Sequence, residues 1–145
     1  MSAGEGARLV ALARGWLGTP YHHGAACRGA GCDCLGLIRG LWRDLHGAEP
    51  EIVPPYGPGG LDQRGEALQA ALSRHMRTLA PGNEGAAGTV LLFRLRARAP
   101  AMHVGLLSRP GPAARFIHAW EGRGVVESPL SAPWARRVVA RFAMV

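Results

Sequence analysis

Several features that often classify a protein are scarce in this chain. It contains no lysine, and aromatic residues make up only 6% of it. A membrane-spanning helix needs about 20 mainly apolar residues in succession, and no stretch of the sequence comes near that. Its few aromatic residues do not alternate with basic ones, as they do where protein side chains stack on nucleic-acid bases. We therefore expect no membrane span and no direct binding of nucleic acid.

Cysteine is scarce as well, with three residues at Cys27, Cys32 and Cys34. Residues 1–8 lack the basic start and apolar core of a secretion signal, and an odd cysteine count without such a signal does not indicate a disulfide framework. Two histidines precede the cysteines, but the spacing differs from the paired spacing of structural zinc sites. We expect no metal and no cofactor. Cys27 and Cys32 could form a reversible disulfide or simply pack, and the sequence leaves both open.

The charge is strongly of one sign, since arginine supplies all of the positive side chains and the net charge is +7. A basic surface of this kind is either an ordinary solvated surface or one that attracts an anionic wall or envelope. The chain has 145 residues, of which 48% are hydrophobic. This length and composition predict one compact domain over residues 1–145, with a sizeable core.

The most informative segment is Gly-Cys-Asp-Cys-Leu-Gly-Leu-Ile at residues 31–38. Apolar residues at helical spacing follow Cys34 as far as Gly47, which is a plausible helix stop. Asp33 is a natural N-cap. A thiol at a helix start lies near unpaired N–H groups and partial positive charge, so it should ionise more easily. The alternative is that Cys34 is a small buried apolar residue, as many free cysteines are.

Two histidines follow in apolar, strand-like segments. His103 lies in residues 101–107 and His118 in residues 115–120. One histidine on an apolar strand is commonly a hydrogen-bonded core residue. Two of them downstream of Cys34 offer a base for a thiol nucleophile and a polar group to orient that base. The sequence therefore predicts a thiol hydrolase of the general papain kind.

Periodicity predicts helices first and strands afterwards. The expected helices cover residues 8–17, 35–46 and 62–79, the last capped by Asp62. The expected strands cover residues 89–95, 102–107, 116–120, 125–127 and 138–144. A glycine-rich loop over residues 19–33 and a proline-rich irregular crossing over residues 47–60 separate the helices. This order predicts an α+β domain with an antiparallel sheet.

Four short motifs together resemble the NlpC-type family of papain-like cell-wall peptidases, which cut the peptide stems of bacterial peptidoglycan. They are Gly-Thr-Pro-Tyr at 18–21, Asp-Cys-Leu-Gly-Leu at 33–37, His-Val-Gly at 103–105 and Phe-Ile-His-Ala at 116–119. The resemblance runs from about Ala7 to the C-terminus. It implies a papain-like NlpC-type fold, with N-terminal helices packed on an antiparallel β-sheet. Leu35 stands where the family usually has a serine, which implies an altered pocket but no lost catalytic group.

For activity, the resemblance implies a cysteine peptidase with Cys34 as nucleophile, His103 as general base and His118 as the residue that orients it. It places Tyr21 in the substrate pocket, and we expect Asp33 there too. The bond implied is the one between D-glutamate and a diamino acid in the stem peptide. Two alternatives stay open: a thiol acyltransferase of the same fold, and a structural protein that does no chemistry.

Three further segments resemble the subgroup found with phage tails and gene transfer agents. They are residues 29–37, 49–56 and 126–134. The resemblance implies partners among tail or baseplate hub proteins, with residues 47–60 and 128–134 as docking surfaces. Since we expect no export signal, we also expect assembly in the cytoplasm and delivery in the tail of a phage-like particle. The enzyme would then act on the recipient cell wall, in the periplasm.

Overall fold

The computed structural model describes residues 2–56 and 66–144. Its helices are α1 (Ala3–Arg14), α2 (Cys34–His46), α3 (Ala67–His75) and α4 (Ala132–Ala135). Its strands are β1 (Ala26–Cys27), β2 (Gly31–Cys32), β3 (Arg77–Thr78), β4 (Val90–Phe93), β5 (His103–Arg109), β6 (Arg115–Trp120), β7 (Gly124–Pro129) and β8 (Val138–Ala143). In the described ranges, no helix is both long and apolar enough to cross a membrane.

The strands form one main antiparallel sheet and one small hairpin. The main sheet has six strands in the order β3-β8-β4-β5-β6-β7, and β1 pairs with β2 separately. Each neighbouring pair in the main sheet is antiparallel. The predicted α+β class with an antiparallel sheet is confirmed.

Helix α2 carries the motif around Cys34 and has the predicted ends. The Asp33 carboxylate accepts a hydrogen bond from the Gly36 N–H, which caps the first turn. Gly47 ends the helix in the left-handed region, with φ 85°, where glycine carries no steric penalty. A Cβ on Gly40 would lie 2.1 Å from the Trp16 ring. Glycine at this position therefore lets α2 pack closely on the chain that follows α1.

Helix α1 begins earlier than predicted, at Ala3 rather than Arg8, because the Ser2 hydroxyl accepts from the Glu5 N–H and caps it. It buries Leu9 and Ala13 as expected, and the predicted inward residue Trp16 follows in the turn after the helix. The other predicted face residue, Leu12, is only partly buried.

The prediction for residues 62–79 was wrong at its C-terminal end. Helix α3 ends at His75, Met76 is extended, and Arg77–Thr78 pairs with β8 instead of continuing the helix. The proposed cap at Asp62 lies outside the described residues. The sequence also did not predict the β1–β2 hairpin within the loop or helix α4, whose four residues are too few for a periodic signal.

Both faces of the sheet are buried near its centre. The main core lies between the sheet and helices α1–α3, and Val104, Leu106 and Ile117 contribute to it. A second, smaller core lies on the opposite face, built from Leu91, Phe93, Leu107 and Phe116, with Trp134 packed against it. Because side chains alternate along a strand, His103 points to the second face, like Leu107, and so does His118, like Phe116.

Candidate active site

The thiol of Cys34 sits against the backbone on either side of His103. Its Sγ lies 3.5 Å from the carbonyl oxygen of Met102, which accepts its hydrogen bond. The Val104 N–H donates to the same sulfur. The described ladder between β5 and β6 begins at Leu106, so the backbone next to His103 is left to meet the start of α2. The fold thus places the sulfur of the predicted nucleophile beside the backbone that flanks the residue predicted to be its base.

The thiol is protonated in this structure at neutral pH. Burial raises the pKa of Cys34 to about 12, and the charge of Asp33 acts in the same direction. The N–H groups of Val104, Leu35 and Cys34 itself lower the pKa, but burial outweighs them. The expectation that the helix start keeps the thiol partly ionised was therefore wrong. A thiolate has to be formed by transfer of the proton to a base during the reaction.

The two predicted histidines form one buried, hydrogen-bonded pair. Nε2 of His103 lies 2.8 Å from Nδ1 of His118. Burial lowers the pKa of His103 to about 3, with the charge of His118 as a second cause, and burial lowers the pKa of His118 to about 4. Both rings are therefore neutral at neutral pH. A neutral imidazole has a free lone pair, so His103 is able to take a proton.

An aromatic cluster encloses this pair on the second face of the sheet. The Trp134 ring centroid lies 5.6 Å from that of His103 and 5.2 Å from that of His118. Phe93 and Trp120 lie beside the His103 ring, at 5.5 and 5.2 Å. Sequence reasoning treated Trp134 only as part of a docking segment. The apolar residues beside Trp134 in the sequence were the only local sign that it could be buried, and only the fold shows that it packs against the second core.

Asp33 holds the glycine-rich loop over residues 19–33 in place, and its carboxylate has little hydrogen-bonding capacity left for a substrate. It is 3% exposed, and its carboxylate accepts hydrogen bonds from the N–H groups of Gly36 at 2.7 Å and Gly24 at 2.8 Å. The Tyr56 hydroxyl donates to it as well. The structure therefore places Asp33 among structural contacts rather than in an open pocket. Tyr56, within the proline-rich crossing over residues 47–60, was not predicted as a residue of this region.

Tyr21 lies near Cys34, the predicted nucleophile, whose charge acts on the Tyr21 hydroxyl. It forms a bridge to Cys32 and packs against the main core. Burial raises the pKa of Tyr21 to about 12, and the charge of a Cys34 thiolate would raise it further. Tyr21 is therefore a neutral phenol next to Cys34.

The other two cysteines are free. Cys27 is exposed and Cys32 is buried. The hairpin register pairs Cys27 with Gly31 and Ala26 with Cys32, so the two thiols point to opposite faces and no disulfide forms without rearrangement. Over residues 2–56 and 66–144, no three His, Cys, Asp or Glu side chains come together as a metal site.

These elements define an α+β domain of papain-like architecture, with a cysteine at a helix start and a histidine pair on the neighbouring strands. No protein-family model matches the chain, and no curated protein matches it. Solved structures do match. The chain is similar to the NlpC/p60 domain of the peptidoglycan hydrolase SagA, with 22% identity and a TM-score of 0.62 over 96% of this chain and 98% of that one.

Two longer proteins of the same kind match as well. An NLP/P60-family lipoprotein-like protein from Staphylococcus aureus has 21% identity and a TM-score of 0.65. NlpC2 from Trichomonas vaginalis has 19% identity and a TM-score of 0.67. This chain spans 43% and 48% of their respective lengths, while they cover 100% and 99% of it. The chain therefore has the fold of NlpC/P60 proteins.

Proposed function

We propose that this protein is a cysteine peptidase that hydrolyses amide bonds in the stem peptides of peptidoglycan. The observation that carries the proposal is the position of the Cys34 sulfur. It is hydrogen-bonded to the backbone of Met102 and Val104, on both sides of His103. The ring of His103 is in turn hydrogen-bonded to the ring of His118. A nucleophile, a base and a group that orients the base are the three parts that acyl transfer through a thiol needs.

We propose the following reaction for these residues. The thiol proton of Cys34 passes to His103 as the sulfur attacks the amide carbonyl and a C–S bond forms. The oxyanion faces the backbone N–H of Cys34, which lies at the helix start. His103 then gives its proton to the leaving amine as the C–N bond breaks. Water attacks the thioester, its proton goes to His103 and then to sulfur, and the C–S bond breaks.

The substrate class is supported by the fold and by the sequence motifs. One structural neighbour matched over nearly its whole length is a domain of a peptidoglycan hydrolase. The motifs around Cys34 and His103 resemble those of cell-wall peptidases. On that basis we propose that the bond cut joins D-glutamate to the diamino acid of the stem.

The test is digestion of purified peptidoglycan by the purified protein, followed by mass spectrometry of the released fragments. We expect a new amine and a new carboxylate at one stem bond, and none with Cys34→Ala. Absence of cleavage by a folded protein would refute the peptidase proposal and favour a structural role. A product whose acyl group is joined to an added amine instead of water would favour acyl transfer.

We also propose that the enzyme is carried in the tail or baseplate of a phage-like particle and opens the recipient wall locally. The support is the likeness of residues 29–37, 49–56 and 126–134 to the tail and gene-transfer-agent subgroup. Of the expected docking segments, residues 57–60 lie outside the described residues, but Ile52 is 94% exposed. Fractionation of purified particles tests this: a protein that never accompanies tails would refute it.

A further inference from the structure

A third polar group continues the hydrogen-bonded line that His103 and His118 begin. Nε2 of His118 lies 3.2 Å from the Oγ of Ser128. Ser128 lies on β7 directly opposite Phe116 on β6, and His118 shares a sheet face with Phe116. The register of β6 and β7 therefore sets this contact. Nothing in the sequence motifs singles out the serine.

The other polar side chains near Ser128 on these strands are directed elsewhere. Glu127, the preceding residue, points to the other face of β7 and accepts hydrogen bonds from Arg14 and Ser108. Arg115 at the start of β6 lies 3.9 Å from the same carboxylate and donates to the Glu127 backbone. In the described part of the chain, the residues hydrogen-bonded to the His118 ring are thus His103 and Ser128.

The direction of the hydrogen bonds along this line decides whether His103 can act as a base. Each neutral imidazole has one N–H and one lone pair. For His103 to receive the thiol proton on Nδ1, its own hydrogen must sit on Nε2 and be donated to Nδ1 of His118. His118 must then carry its hydrogen on Nε2, where the hydroxyl of Ser128 accepts it. The same hydroxyl could donate to Nε2 of the other tautomer, so it partners either form, and its removal penalises the form whose N–H is left buried and unpaired.

Without that acceptor, the Nε2–H of His118 has no hydrogen-bond partner. Both histidines are almost fully buried, His103 at 5% and His118 at 2% exposure. A buried N–H without a partner is costly, so His118 would no longer be held to the Nε2–H form. If His118 takes the Nδ1–H form, His103 must accept through Nε2 and carry its hydrogen on Nδ1, and it cannot then take the proton of Cys34.

We propose that Ser128 is a positioning residue that accepts the Nε2–H of His118 and thereby stabilises the Nε2–H tautomers of both histidines. Its consequence for rate rests on the proposed peptidase function, but its consequence for the tautomers does not. Removing one neutral hydrogen bond should lower the ratio of the working tautomer to the other one about 3- to 10-fold. Because substrate binding is not altered by this, the loss should appear in kcat and leave KM unchanged.

The test uses the full chain and three variants. Ser128→Ala removes the hydroxyl, and Ser128→Thr keeps it on a side chain suited to a strand. Ser131→Ala is the matched control, because Ser131 is exposed and its side chain makes no capping hydrogen bond at α4. Nitrogen-15 NMR of the histidine rings at neutral pH reports which ring nitrogen carries hydrogen, and needs neither substrate nor activity.

We expect Nε2–H signals from both histidines in the unaltered protein, in Ser128→Thr and in Ser131→Ala, and a mixture of tautomers in Ser128→Ala. Unchanged tautomers in Ser128→Ala would overturn the proposal, and so would a predominance of the Nδ1–H form in the unaltered protein. An equal loss in Ser128→Thr would overturn it too, since that variant keeps the hydroxyl. Inactivity of the unaltered protein together with the expected NMR result would refute the peptidase function and leave the role of Ser128 standing.

Discussion

Gly36, the third residue of α2, lies directly against the glycine-rich loop over residues 19–33. A Cβ built on Gly36 would lie 1.8 Å from the carbonyl oxygen of Ala25 and 3.0 Å from the Asp33 carboxylate. The nearest atom belongs to the backbone, so no rotation of a side chain relieves the contact. For Gly36→Ala, the loop or the helix start would have to retreat by roughly 1 Å.

The size of the effect follows from three contributions. Overpacking costs about 1–3 kcal/mol. The Ala25 carbonyl accepts the Asp33 N–H at 3.2 Å, and losing that bond costs about 1 kcal/mol. Replacing a helical glycine by alanine returns up to about 1 kcal/mol. We expect Gly36→Ala to lower the free energy of unfolding by about 2 kcal/mol, which for a domain of this size is a fall in Tm of about 4–8 °C.

Gly4→Ala is the matched control, because it makes the same change in a helix where there is space. Its Cβ would meet only the Ser2 hydroxyl, at 4.0 Å, so we expect a gain of about 0.5 kcal/mol from helix propensity. Urea and thermal unfolding of both variants measure the difference. If Gly36→Ala were as stable as the unaltered protein, the close approach of the loop to α2 would be refuted.

Three further predictions concern the thiol and the histidines. Burial lowers the pKa of His103 and His118 to about 3 and about 4, so the unfolded chain binds more protons than the folded one between those values and about 6.5. This contribution to the free energy of unfolding should be fully present above about pH 6.5. It should fall on acidification by up to about 1.4 kcal/mol per pH unit for each histidine. A free energy of unfolding that stays constant from pH 7 to 4 would contradict this. Burial raises the pKa of Cys34 to about 12, while Cys27 is exposed. Iodoacetamide at pH 7 should therefore label Cys27 first. Peptide mapping that finds Cys34 labelled first would refute a protonated resting thiol at Cys34. His103→Ala should be as damaging to kcat as loss of the thiol, whereas His118→Asn should keep part of it because an amide still bonds to the base; the reverse order in kinetic assays would exchange their roles.

Local signals in the sequence predicted helix α2, which begins at Cys34, well. Asp33 and Gly47 end α2 where capping rules place them, because caps depend only on the backbone groups of the first and last turns. The strands of His103 and His118 were also predicted, since short apolar runs between turn residues identify strands without knowledge of their partners.

Elements that depend on a distant partner were not predicted. Arg77–Thr78 is a strand only because β8 lies beside it, and the local pattern favoured continuing α3. Trp134 lies on a four-residue helix that no periodicity indicates, and its contacts are with rings on β4, β5 and β6. Such pairings depend on the packing of the whole sheet.

The same distinction between local and long-range features applies to the candidate site. Residue types and spacing predicted Cys34, His103 and His118 as a site, because a thiol at a helix start and histidines on apolar strands are local features. The state of those groups was decided by the tertiary structure. Burial, which sums contributions from every element around the site, outweighs the helix start at Cys34 and keeps both histidines neutral. The bond from His118 to Ser128 exists only because β6 and β7 pair in the register that they do.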